Sequence, residues 1–195
     1  MVTEPDQAAR RLQDDGWVLD AGQAHRGQGT RNRRLAWPDR FFELLWVTDA
    51  AEARANPLRL DRRADWATTG ASPVGLAFRG QIDPAHHDEF WLYDALGPEI
   101  WIHRDNERSP QRPLVFVLHT ALDEVQRRRP RVPGAVAHRC SGGLREVRVQ
   151  GPSPPSVPPY AGPPIVHVQG AHRLELVIEV HGTARPITDT LAIRW

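Results

Sequence analysis

Lysine is absent from this chain: all 25 of its basic residues are arginine. A biased genome explains that usage, since either residue serves a solvated face, but the chemical consequences stand. Schiff-base catalysis needs a lysine amine and is excluded. A Walker phosphate loop needs its lysine and does not occur, and no G-x-S-x-G elbow is present. The lone cysteine, Cys140, cannot form an internal disulfide and has no sequence context of a nucleophile, which suits a reducing cytoplasm. No apolar run approaches the roughly 18–20 residues that span a bilayer, and no signal-like segment opens the chain. Formal net charge is +1 and no long basic tract occurs, so neither nucleic acid nor a membrane is the expected partner. A cytoplasmic protein is expected.

What the chain does contain is concentrated between Gly22 and Val47. The first half of this stretch sets His25, Gly27, Gly29, Thr30 and Asn32 in a loop leading onto a strand. The second half, residues 41–47, is an apolar run broken by one carboxylate, Glu43. Four to eight aromatic and branched residues between turn signals read as a core strand. A carboxylate inside such a strand is costly to bury unless it is paired or bound. Glu43 is therefore the leading candidate site residue.

Gly16-Trp17, then Gly22, His25, Gly27, Gly29-Thr30 and Asn32, and finally Phe42-Glu43-Leu44-Leu45, resemble the glyoxalase-like domain of the vicinal oxygen chelate superfamily. That family typically shows a GG-x-H-x-G-x-GT-x-N stretch followed by a YLEL-type strand. Residues 113–118, His138 with Gly142-Gly143, and Leu174-Glu175-Leu176 resemble later landmarks. The resemblance implies an α+β fold in which βαβββ modules form a cupped mixed sheet around a pocket, with helices outside. It also implies either a divalent metal held by His and Glu side chains or a pocket that binds ligands without one.

The hydrophobic rhythm agrees. Residues 5–14 read as a helix with Ala8, Ala9 and Leu12 on one face, Pro5 in its first turn and Gly16 just past its end. Strands are predicted at 17–19, 31–37 and 41–47, the last two as antiparallel neighbours across a short link. With a stub of first strand at residues 1–3, residues 1–50 make a first module, and 51–72 a connector. Residues 73–195 make a second, elaborated module. It is predicted to hold strands at 74–78, 99–103, 114–119, 144–149, 165–168, 174–180 and 191–195. A helix is predicted over 84–96, opened by Asp83 and closed by Gly97. The proline-rich insertion 152–164 reads as an ordered loop.

By the resemblance, Glu43 is the strand-borne carboxylate of a catalytic or metal site, and Glu175, in a similar L-E-L context, is its candidate partner across the cavity. The family's first-strand histidine has no counterpart here; His25 and His119 are substitutes at other positions. Each candidate also has a plainer role. Glu175 alternates with leucines as an outward residue of a period-two strand does. His25, Thr30 and Asn32 can satisfy loop amides as readily as touch a ligand. His86 and His87 sit at adjacent helical positions and cannot chelate together. Trp37 and Trp46 are candidates to line a pocket for a planar molecule, with Arg31 or Arg33 at its rim for an anionic group. The expected function is a small-molecule pocket with no tightly bound cofactor. The alternative is a lyase, isomerase or dioxygenase that uses a divalent metal. A small-molecule ligand is the expected partner, and a homodimer is an open assembly.

Overall fold

The computed structural model describes residues 1–37, 40–93, 99–118, 143–178 and 182–195. The chain has an α+β fold with mixed sheets. Its first helix, α1 (Pro5–Asp14), has the expected bounds and buries Ala8, Ala9 and Leu12. It ends where the Trp17 amide turns back to the Leu12 carbonyl and the Gly16 amide to that of Gln13. The buried face of α1 packs on Leu35, Leu44 and the tryptophans Trp17 and Trp37.

Next come β1 (Ala24–His25), β2 (Thr30–Ala36) and β3 (Phe41–Val47), paired antiparallel in that order. The β2–β3 hairpin holds Arg34 opposite Glu43 and Asn32 opposite Leu45. The stub of a first strand reaches β3 through the Val2 amide, which donates to the Leu45 carbonyl at 2.9 Å. Residues 17–19 do not form the expected strand. The reason is local: the Arg34 amide is taken by the Asp20 side chain rather than by a backbone carbonyl, so no ladder continues. Trp17 and Leu19 are buried all the same.

Two glycines make the loop before β2 possible. Gly22 sits at φ +68°, where a Cβ would lie 1.7 Å from the Asn32 carbonyl oxygen. Gly29, at φ +64°, would place one 2.2 Å from the Asp49 carbonyl oxygen. No other residue fits either position.

The segment read as a connector holds three short helices, α2 (Ala50–Ala55), α3 (Leu60–Ala64) and α4 (Trp66–Thr69). Asp49 caps α2 by accepting from the amides of Ala51 and Glu52. A second sheet follows in the order β4 (Gly75–Arg79), β7 (Leu114–Leu118), β6 (Ile100–His103), β5 (Phe90–Tyr93). The helix predicted over 84–96 is corrected: Pro84–Glu89 form a 3₁₀ turn and Phe90–Tyr93 the edge strand β5. Asp83 caps the turn as expected, but Phe-Trp-Leu-Tyr favours a pleated surface and pairs with β6. The predicted stop at Gly97 lies outside the described residues. The short helix α5 (Asp105–Arg108) separates β6 from β7.

The third sheet runs β11 (Ala184–Thr188), β12 (Leu191–Arg194), β10 (Arg173–Val177), β8 (Glu146–Gly151), β9 (Ile165–Gln169). Only β11 lacks a sequence-based expectation. Its Arg-Pro pair interrupts any apolar alternation, and Pro186 marks a register shift against β12. Among the described residues no helix is long and apolar enough to cross a membrane.

Candidate functional site

All three sheets contribute to one cavity of about 380 Å³. Its wall is mostly apolar, with Ala77 from β4, Phe116 and Leu118 from β7 on the same face, and Leu174 and Leu176 from β10. The proline-rich insertion closes one side through residues 160–163. There the Tyr160 ring meets Phe78 edge-on at 5.0 Å and its hydroxyl donates to the Pro163 carbonyl.

Glu43 projects from β3 into this wall. The Asn32 amide Nδ2 donates to its Oε1 at 2.9 Å, and its other oxygen has no protein donor among the described residues. Burial in these apolar surroundings raises its pKa from 4.5 to about 7, outweighing the opposing pull of Arg34 and of the Asn32 hydrogen bond; the nearby Asp20 carboxylate raises it further. Near neutral pH this carboxyl is therefore poised between donor and acceptor.

Strand register decides which predicted residues accompany it. Directly paired residues share a face, so His25, Thr30, Asn32, Arg34 and Glu43 all lie on one side of the β1–β2–β3 sheet. Asn32 is fully buried and does two things: its Nδ2 holds Glu43, and its Oδ1 accepts from the Gln23 amide. Thr30 is buried and donates to Gln28 Oε1. His25 keeps a buried Nε2 with no partner among the described residues; burial and then the Arg34 charge lower its pKa. Neither Thr30 nor His25 reaches the cavity wall. Both stand on the same face of the sheet as Glu43, away from the cavity wall.

Trp37 and Trp46 lie at odd spacings from Asn32 and Glu43, so they face the other way. Both belong to the cluster around α1, where Trp37 meets Trp17 edge-on at 6.4 Å. The same parity turns Arg31 and Arg33 away; they bond the backbone carbonyls of Ala21 and Asp20. Glu175 also points away from the cavity that its neighbours Leu174 and Leu176 line. Its carboxylate meets Arg194 Nε at 2.6 Å and Arg148 Nη1 at 3.5 Å across the sheet. The structure thus does not bring Glu43 and Glu175 together.

A divalent ion needs several convergent donors. Among the described residues the wall offers one carboxyl and no imidazole, and no group of three His, Cys, Asp or Glu is placed to hold a metal. The Asn32 oxygen is already committed to Gln23. The described residues of the wall do not fit a metal centre. His119 and His138, with Cys140, lie outside the described residues.

Three contributors were not picked out from sequence. Asp20, buried, accepts from the Arg34 amide and guanidinium at 2.7 Å each and so fixes the cation beside Glu43. Arg63 and Tyr160 complete the wall. Nothing separates Arg63 from its neighbour Arg62 in sequence, and a tyrosine among prolines gives no periodic signal.

A profile of the glyoxalase-like domain matches residues 1–139, which covers the loop, the hairpin and Glu43. The chain belongs to the glyoxalase-like domain family. This agrees with the motif spacing from Gly22 to Leu45 and with the vicinal oxygen chelate superfamily. No curated protein and no solved structure matches the chain in the corresponding searches. Within this glyoxalase-like protein, the motif's glycines shape the loop, and its asparagine donates to the glutamate at the cavity wall.

Proposed function

We propose that this glyoxalase-like protein binds a small, largely apolar molecule in the cavity against Glu43, and does so without a tightly held catalytic metal. One observation carries the reading: a carboxyl held near neutrality, with one oxygen fixed by Asn32 and the other left to an apolar cavity. Ligand sites combine apolar walls with a few placed polar groups in this way. In its protonated form Glu43 donates to a carbonyl or ether oxygen of the ligand; ionised, it accepts a hydroxyl or amide proton. The same carboxyl is the group a metal-free enzyme would use to move a proton, because titration near neutral pH serves both acid and base roles.

Calorimetric titration with methyl octanoate, whose carbonyl can only accept, tests the reading. Saturable one-to-one binding is expected, tighter at pH 6 than at pH 8. Ala77→Trp, which adds bulk to the wall from β4, should abolish it while circular dichroism stays unchanged. Binding that survives Ala77→Trp undiminished would place the ligand elsewhere.

A further inference from the structure

Arg63 is only 3% exposed, yet it forms part of the cavity wall. A buried guanidinium ordinarily has a carboxylate partner, because an uncompensated charge in a low-dielectric interior is costly. Here every partner among the described residues is neutral. Nη1 donates to the carbonyls of Ser72 at 2.8 Å and Arg112 at 3.0 Å. Nε and Nη2 share Asn106 Oδ1 at 3.2 and 3.0 Å. Of the five N–H groups of a guanidinium, one on Nη2 is left without an acceptor among the described residues.

Burial lowers the Arg63 pKa to about 10, so the group stays charged at neutral pH. The rest of the wall does not balance it. Among the described residues Glu43 is the one carboxyl of the wall; it forms no bond to Arg63, and burial keeps it partly protonated. The Arg79 guanidinium stands 5.6 Å from the Phe41 ring centre, which also belongs to the wall. The cavity is thus apolar in its body, with the Arg63 guanidinium uncompensated by any carboxylate among the described residues.

We propose that Arg63 is the anchor for an anionic group on the ligand, so that the molecule this cavity takes is an amphipathic carboxylate with its acid at Arg63 and its apolar body on Ala77, Phe116 and Leu118. This rests on the cavity reading above and adds the ligand's charge and orientation. A carboxylate at Arg63 supplies the missing counter-charge and an acceptor for the unused Nη2 hydrogen, in the planar pairing that guanidinium favours. Arg63 also ties the segments around Ser72, Asn106 and Arg112 together, and that framework holds the guanidinium in place before a ligand arrives.

The test compares octanoate with its neutral isostere methyl octanoate by calorimetry at pH 8, on the full chain. Hydrogen bonds to charged groups correspond to roughly 10- to 100-fold in affinity, so octanoate is expected to bind at least about tenfold tighter than the ester on that basis. Arg63→Met should remove the advantage of octanoate over the ester. Equal binding of the two ligands by the unmodified protein would overturn the Arg63 proposal and leave the cavity reading standing. Binding of neither would overturn both. The two-ligand comparison needs no substitution, so it decides the matter even if Arg63→Met fails to fold.

Discussion

At the scale of single residues, Glu43 carries the clearest energetic signature. Its folded pKa, about 7, lies above the ordinary 4.5. The folded state therefore binds a proton more tightly than the unfolded chain does. Stability from this group is fully present below pH 4.5, declines as pH rises towards 7, and levels off above that. The total is roughly 3 kcal/mol, at about 1.36 kcal/mol per pKa unit. Glu43→Gln keeps the shape and the acceptor for Asn32 but has nothing to ionise. Thermal melts should show the variant close to the parent at pH 5 and more stable by several degrees at pH 8. A difference that did not change with pH would mean that the carboxyl is not desolvated. Gly22 provides a second test at this scale. Gly22→Ala should cost more than about 2 kcal/mol in urea denaturation, through both a left-handed backbone and a clash with the Asn32 carbonyl. Gly27→Ala, at φ +81° with open space around it, should cost only about 1 kcal/mol, the strain alone.

At the scale of elements, period-two alternation sorts the candidates, and much of that sorting was legible. The β2–β3 hairpin and α1 followed directly from apolar spacing, and Asn32 and Glu43 fall on one face by register. The sequence also contained the reason Trp37 and Trp46 miss the cavity, since each stands an odd number of residues from the polar face. What it did not contain was which sheet covers which face. That is why Glu175, in the same L-E-L context as Glu43, could be taken for its partner although it pairs with arginines instead. The 84–96 helix failed because capping by Asp83 marks a start without fixing a length, and the aromatic run after it found a strand to pair with. The β10 strand turns this into a prediction. Leu176→Ala should cost about 2–5 kcal/mol in chemical denaturation, as deletion of a buried core side chain does. Glu175→Gln, on the opposite face, should cost about 1 kcal/mol or less, as partly exposed ion pairs do. Equal costs would mean that the two faces are not distinguished as described.

At the scale of the whole molecule, three sheets and a proline-rich segment enclose a space that offers, among the described residues, one carboxyl, Glu43, backed by Asn32 and with arginines around it. On the function proposed above, that wall takes an organic ligand rather than a metal ion. A tightly held ion stabilises a fold by about 4 kcal/mol at a thousandfold excess over its dissociation constant. Treatment with a chelator should therefore leave the melting temperature of the purified protein within about a degree, far below the shift that such a stabilisation implies. A drop of many degrees, with one equivalent of metal found by elemental analysis, would restore the metal-dependent reading.

The most direct test of the account is a carboxyl-carbon NMR titration of Glu43, with and without saturating methyl octanoate. Free protein should give a midpoint near 7. The ester should raise it further, because it displaces water from the carboxyl and offers an oxygen that only the protonated form can engage. A midpoint near the ordinary 4.5 that does not respond to the ester would contradict the claim that Glu43 faces a ligand cavity.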